Sequence, residues 1–353
     1  MRVALFVPWL DYGGRDIWTV SMALGLPKTG IEVAGVGVWQ NHLNSDFALR
    51  LANGGCKVSV GLDPCVELAR ETALWILSGR PEALERLEPR GPVVFVAHGQ
   101  CNGAKAAAAY ATSIVTHWVA VAHNATAAIP PGVPFQVLHN GIDLDRCQHR
   151  RSRKEVRDSW GVSDEERVVA YVGRIHPEKN PLAVVRAVRE LGAGYRAVIY
   201  NSERPEVQEP YLAECREIDP QVVHHPPVMD VGEVYLGADC MMAASARECC
   251  SLTVIEAWAC GLPVVSTPVG ALRELEEIAG GRLVVRVPLD PSPKDLAQAV
   301  REATDYCYGD MVPRAFNLAR TKLTASAMCE RWAGYLREIT PCKSNSISHT
   351  AAI

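Results

Sequence analysis

A chain of 353 residues, 48% hydrophobic and 22% charged, has a soluble globular composition and a length that suits two domains of moderate size. Its net charge of −4 gives no global drive toward nucleic acid. The sequence has no apolar run of about 20 residues to span a membrane, and MRVALFVPWL lacks the core and cleavage site of a signal peptide, so the expected location is cytoplasmic. The twelve cysteines are spread thinly and form no CxxC pair, so they are expected to be reduced, mostly buried thiols. A zinc site from Cys249, Cys250, His224 and His225 is chemically conceivable but lacks ligand spacing.

In chain order, RVALFV, EVAGVGVW, KVSV, PVVFVAH and HWVAVAH read as strands of a first sheet. VVAYVGR, RAVIY, QVVHH, CMMAAS, LPVVST and RLVVRV read as strands of a second. Continuous β-branched runs, rather than in/out alternation, mark strands covered on both faces. Helices are predicted between them, among them Ile17 to Leu26, Pro181 to Leu191 and Leu252 to Cys260. Strand–helix alternation predicts a doubly wound parallel sheet, and it occurs twice. The Pro/Gly loop AAIPPG, then QVLHNGIDLD and the basic run RCQHRRSRKEVR, separate the halves, with a hinge near residues 140 to 160. The expected division is 1–145, 146–325, a last helix over 326–340, and a disordered tail over 341–353.

Sites on such sheets lie at the carboxyl ends of strands, and the cleft between two facing domains is the default active site. Glu248 follows the strand CMMAAS and precedes the helix beginning near Leu252; Glu256 stands eight residues on. A helix N-terminus offers unpaired N–H groups to phosphate, and the amides around Ser251, Leu252 and Thr253 are placed for it. A nearby carboxylate can take hydroxyls, which together describes a nucleotide sugar. The plain alternative is a dipole-satisfying acid at Glu248 and a solvated acid at Glu256. In VGRIHPEKNP, Arg174 and Lys179 sit at a strand-to-helix turn and can clamp a diphosphate. Gly13 and Gly14, after the first strand, let backbone approach a phosphate or sugar. His98 ends the strand PVVFVAH and points into the cleft, with a structural role equally open; His123 reads as structural.

The pieces GG, AHG, HNGID, VGRIHPEKNP and ECCSLTVIEAWACGLPVVST occur in this order. Together they resemble the retaining glycosyltransferases of family 4, closely in the second half and loosely in the first. The resemblance implies the GT-B fold, an α/β architecture of two facing Rossmann-like domains, an acceptor side in the first and a donor side in the second. It implies that Arg174 and Lys179 bind the donor diphosphate, that Glu248 faces the donor sugar and Glu256 the ribose hydroxyls. Amides near Leu252 and Thr253 would hold phosphate oxygens, Gly14 would close from the other domain, and His98 would approach the sugar. Glu274 matches a position often acidic in the family, with no assigned role. The usual Gly-Phe-Gly run is replaced by Cys249, Cys250 and Ser251, and the glycine-rich loop of the second domain by IYNSERP.

The implied activity moves a sugar from a nucleotide diphosphate, uridine diphosphate by frequency in the family, to a hydroxyl of a glycan, lipid-linked or small-molecule acceptor. It is expected to need no metal or other cofactor. The Asp143–Asp145 pair imitates a metal-binding DxD but lies in the HNGID loop and reads as structural. A nucleotide-sugar epimerase, a phosphorylase and a two-domain sugar-binding protein are the alternatives. The cations Arg146, Arg150, Arg151, Arg153, Lys154 and Arg157 read first as a solvated face, and alternatively as a peripheral contact with an anionic membrane. Trp9, Trp18, Trp39, Trp75 and Trp118 read as core, or as stacking surface for acceptor sugars.

Overall fold

The computed structural model describes residues 1–79, 89–99, 102–201, 205–305 and 309–340. Gln100 and Cys101 of GQCNG, Ser202 to Arg204 of IYNSERP, and the tail 341–353 lie outside the described residues.

The first sheet contains β1 (Arg2–Val7), β2 (Glu32–Val38), β3 (Val58–Val60), β4 (Leu74–Leu77), β5 (Val93–Ala97), β6 (His117–Ala120) and β7 (Phe135–Val137). Their order across the sheet is β3-β2-β1-β4-β5-β6-β7, and each pairing is parallel. The second contains β8 (Arg167–Gly173), β9 (Tyr195–Asn201), β10 (Val223–His225), β11 (Cys240–Ala243), β12 (Val264–Ser266) and β13 (Val285–Arg286), in the order β10-β9-β8-β11-β12-β13, again parallel. Both sheets are covered on two faces, so β1, β5 and β11 are apolar and buried almost throughout.

Three sequence readings change. LWIL forms β4, a four-residue buried strand at the centre of the sheet that the apolar-run reading passed over. β7 is a three-residue strand at the sheet edge, exposed or half-buried throughout, with no continuous hydrophobic signal. The first helix starts at Gly14, three residues earlier than predicted, and runs to Gly25.

Strand order reverses direction between β1 and β4 in one sheet and between β8 and β11 in the other. At such switch points the connecting helices leave on opposite faces and open a crevice at the strands' carboxyl ends. The chain segments leaving β1, β8 and β11 are therefore the ones the fold brings to one cleft.

The last helix, Ala325–Ile339, packs on the first sheet's helices rather than on its own neighbours in sequence. Trp332 is fully buried with its ring 5.6 Å from that of Trp18. Arg337 donates to Thr29 O at 2.6 Å, and the Cys329 thiol lies 3.8 Å from Ser21 O. Main-chain hydrogen bonds from Ile142 to Leu323 O at 2.8 Å and from Ala325 to Ile142 O at 2.6 Å tie the HNGID segment to the start of this helix.

Candidate active site

The site begins where β1 ends. The chain turns through Pro8–Gly13 and enters the helix Gly14–Gly25 with Gly13 as its N-cap, in extended conformation and with no side-chain cap. Opposite it, the helix Leu252–Ala259 starts behind Ser251, also extended and also without a side-chain cap, and with no acidic residue in its first turn. A Cβ placed on Gly14 would lie 3.9 Å from Leu252 Cδ1, so the two helix tips meet across the cleft. Each tip presents unpaired amides and the positive end of a helix dipole. Two such tips in contact favour an anion beside them, with Asp16 in the first turn of the first helix offsetting part of its positive end.

The loops leaving β8 and β11 close the floor. Lys179 ends the turn Pro177–Lys179, and its Nζ stands 2.6 Å from Glu248 Oε1. Ser245 Oγ donates to the same oxygen at 2.9 Å. Ala246 N donates to Glu178 O at 2.8 Å, and Arg247 pairs with Glu178, so the two loops are stitched side by side. Glu248 thus pairs with Lys179 rather than satisfying the helix dipole. Arg174 is exposed, and its guanidinium has no partner among the described residues; only its main-chain oxygen is used, accepting from Tyr171 at 2.6 Å. Burial, and then the Glu248 carboxylate, hold the Tyr171 phenol far above its ordinary range.

The backbone carrying Glu248 is pinned from several sides. Ala271 N donates to Cys249 O at 2.6 Å. Gly270 makes that approach possible: it has φ +70, and a Cβ there would strike Cys249 O at 2.5 Å. Asn124 Nδ2, from the turn His123–Ala128 in the first half of the chain, donates to Glu248 O. Where the family has Gly-Phe-Gly, Cys249 is buried and Cys250 half-buried; burial pushes the Cys250 thiol up to about 12, so it is protonated and no nucleophile at neutral pH.

Across the cleft, His98 follows β5 with its ring edge-on to Trp18, 4.7 Å between centroids. Its Nε2 is buried without a partner, and burial, assisted by Arg15, lowers its pKa to about 3. The imidazole is therefore neutral. Arg15 donates to Asp16 Oδ1 at 2.7 Å and to Trp9 O at 3.1 Å, and lies 4.5 Å over the exposed Trp9 ring. Asp16 is 3% exposed, and burial raises its pKa to about 6 against the opposing pull of Arg15. Trp18, Trp39, Trp75 and Trp118 are core, so Trp9 alone of the five reaches solvent.

The plain alternative for Glu256 does not hold, and the reading of the basic run changes in part. Glu256 is not a solvated acid: it is 1% exposed and pairs through Oε1 with the buried Arg146 at 3.1 Å. Every residue of its helix but Thr253 is buried, so the fifth position faces the segment after HNGID rather than water. Glu256 Oε2 has no partner. The basic run is a solvated face only in part: Arg150, Arg151 and Lys154 are exposed, whereas Arg146 and Arg157 are buried. Arg153 donates to Leu236 O, Ala238 O and Asp239, and the 1%-exposed Arg157 to Gly237 O, Ser163 O and Asp239. Arg151 is spent on Glu233 and Lys154 on Asp158. Arg153 and Arg157 satisfy the last carbonyls of the helix Gly232–Gly237, a role that charge counting does not reveal. Asp143 caps Asp145 N at 3.1 Å and pairs with Arg50, and no group of three metal-ligating side chains is found among the described residues.

One feature went unassigned by sequence reasoning. Glu274, on the helix Leu272–Ala279, accepts from His123 N at 2.9 Å and pairs with His139 Nε2 at 2.7 Å. Both partners belong to the first half of the chain, so Glu274 bridges the two halves beside the Glu248 loop.

Two parallel-sheet domains meeting at their switch points define a GT-B α/β protein. The match to solved structures agrees: the chain superposes with a TM-score of 0.78 on Anabaena HepE in complex with UDP-glucose, at 17% identity, covering 96% of this chain and 100% of that one. It superposes with a TM-score of 0.70 on WaaG, a glycosyltransferase involved in lipopolysaccharide biosynthesis, at 18% identity, covering 96% and 99%. Residues 152–305 match the family model of the group 1 glycosyl transferases. Over 145 residues it is 36% identical to the D-inositol 3-phosphate glycosyltransferases of Mycobacterium marinum and Mycobacterium tuberculosis. The match covers 39% of this chain but only 31% and 30% of those proteins, so it spans about a third of their length.

Proposed function

We propose that this protein is a retaining glycosyltransferase that moves a hexosyl group from a nucleotide-diphosphate sugar, UDP-linked, to a hydroxyl of a glycan, lipid-linked or small-molecule acceptor. The observation that carries this reading is the pair of uncapped helix tips, at Gly14 and Leu252, meeting beside the loop on which Lys179 pairs with Glu248. A diphosphate is the ligand whose charge that arrangement matches. The named partners of the superposed structures, UDP-glucose for HepE among them, support a nucleotide-sugar donor.

In this reading the acceptor hydroxyl enters on the face from which the phosphate departs, and the phosphate takes its proton. The protein contributes position and charge. Lys179 leaves Glu248 to meet the charge growing on the leaving diphosphate, Arg174 closes from solvent, and the amides of Leu252 and Thr253 take phosphate oxygens. Glu248, held by Ser245, faces the sugar. Neutral His98 offers a hydrogen bond to a sugar hydroxyl without adding charge. The unpartnered Oε2 of Glu256 is the acceptor for a ribose hydroxyl. The protein works in the cytoplasm; with most of the basic run engaged internally, contact with an anionic membrane has little support from it.

Incubation with α-linked UDP-sugars and a panel of acceptors, read by NMR of the product, tests this. An α-linked product, with turnover lowered about 10²–10³-fold in Lys179→Ala, is the expected result. A β-linked product would exclude the retaining mechanism.

A further inference from the structure

Asn124 is the one side chain of the first half that reaches the main chain of Glu248 among the described residues. Its amide orientation is set by that contact: reversing it would place Oδ1 against the carbonyl oxygen of Glu248. With Nδ2 committed, Oδ1 is buried and has no partner. A buried acceptor without a donor is costly and is retained where a ligand completes it.

The surroundings make this contact more than a surface link. Glu248 O is held by Asn124 from one half, and Cys249 O by Ala271 from the other. Ala271 immediately precedes the helix whose Glu274 accepts from His123 N, the residue next to Asn124. His139, the second partner of Glu274, is fixed in turn by Arg331 Nη2, which donates to its main-chain oxygen at 3.0 Å. Two adjacent residues, His123 and Asn124, thus grip the Glu248 loop and the helix that braces it.

We propose that Asn124 is a positioning residue for the sugar site. Its Nδ2 sets the backbone, and with it the carboxylate, of Glu248 when the two halves are closed, and its Oδ1 receives a hydroxyl that arrives with the substrate. Glu274 is the brace that keeps the two halves in register for this contact. The proposal rests on the glycosyltransferase reading above and adds a residue from the acceptor side that governs the donor sugar's geometry. The diphosphate wall lies on other residues, so sugar transfer and nucleotide binding separate.

The test compares wild type, Asn124→Ala, the isosteric Asn124→Asp, Glu274→Ala and Glu274→Gln, all as full chains with unfolding midpoints recorded. Uridine diphosphate affinity is measured beside kcat and KM for the UDP-sugar. Expected are uridine diphosphate Kd values within about threefold of wild type for both Asn124 variants, with kcat at least tenfold lower. Asn124→Asp keeps shape and one accepting oxygen but loses the donor to Glu248 O, so it isolates the positioning contact if the alanine variant folds poorly. Glu274→Ala should lower kcat and Glu274→Gln, which still accepts from His123 N, should restore most of it. A kcat within twofold of wild type in Asn124→Asp would overturn the proposal. Failure of wild type to bind uridine diphosphate would instead overturn the glycosyltransferase reading on which it stands.

Discussion

The two walls of the cleft keep their ionic groups in opposite ways. On the C-terminal wall Lys179 and Glu248 are 22% and 16% exposed, and Arg174 stands in solvent. On the N-terminal wall Asp16 is 3% exposed with Arg15 as its partner, and His98 is held neutral. A charge that water already solvates can be lent to a ligand at little cost. A buried one is committed to its neighbour, because parting them leaves an ion in a medium that does not solvate it. The first wall is therefore suited to a charged guest and the second to shape and hydrogen bonding. A nucleotide sugar lying with its diphosphate on one wall and its transfer chemistry toward the other uses both.

Substitutions sharpen this contrast in decreasing order of effect. The Arg146–Glu256 pair lies beneath the C-terminal wall and is committed like the N-terminal charges. Arg146→Ala strands the Glu256 carboxylate and should destabilise the protein by about 3–5 kcal/mol in chemical denaturation. Replacing both residues by methionine should recover most of that loss; equal losses in the single and double variants would contradict a stranded charge.

Next is Asp16, whose folded pKa of about 6 exceeds the ordinary carboxylate value of 3.8. The folded state binds its proton more tightly, so the stabilising share is complete below pH 3.8 and is lost as pH rises through 6. Stability of wild type relative to Asp16→Asn should fall by about 3 kcal/mol between pH 3.5 and pH 7. His98 has the opposite sign, since its lowered pKa makes stability fall as pH drops from 6.5 toward 3. The difference between wild type and Asp16→Asn removes that contribution. A flat difference would mean that Asp16 is hydrated and that the N-terminal wall is wet.

The contrast between the walls also explains what the amino-acid sequence disclosed. Arg174, Lys179, Glu248 and the helix tip at Ser251 sit in two contiguous stretches, each leaving a buried strand, so strand-end reasoning reaches them. The two sheets are legible for the same reason, as runs of β-branched residues. What stayed hidden depends on contacts between distant residues. Asn124 and Glu248 are 124 positions apart, and His139 and Glu274 are 135 apart. The burial of Glu256 was not legible because a polar residue in a short helix is presumed to face water, and this helix is enclosed on nearly every side. Arg153 and Arg157 were misread within the basic run because their partners are main-chain carbonyls of a helix some 80 residues on, which carry no side-chain signature.

The central claim is that the cleft between the two helix tips takes a nucleoside diphosphate. The measurement that meets it most directly is a thermal-shift panel of uridine, guanosine and adenosine diphosphates on wild type and on Arg174→Ala, whose exposed side chain can be removed without loss of packing. The account predicts a stabilisation of about 2.7 kcal/mol by uridine diphosphate at 100 times its Kd, diminished in the variant at the same concentration. Unfolding midpoints of wild type that no nucleotide moves would contradict it.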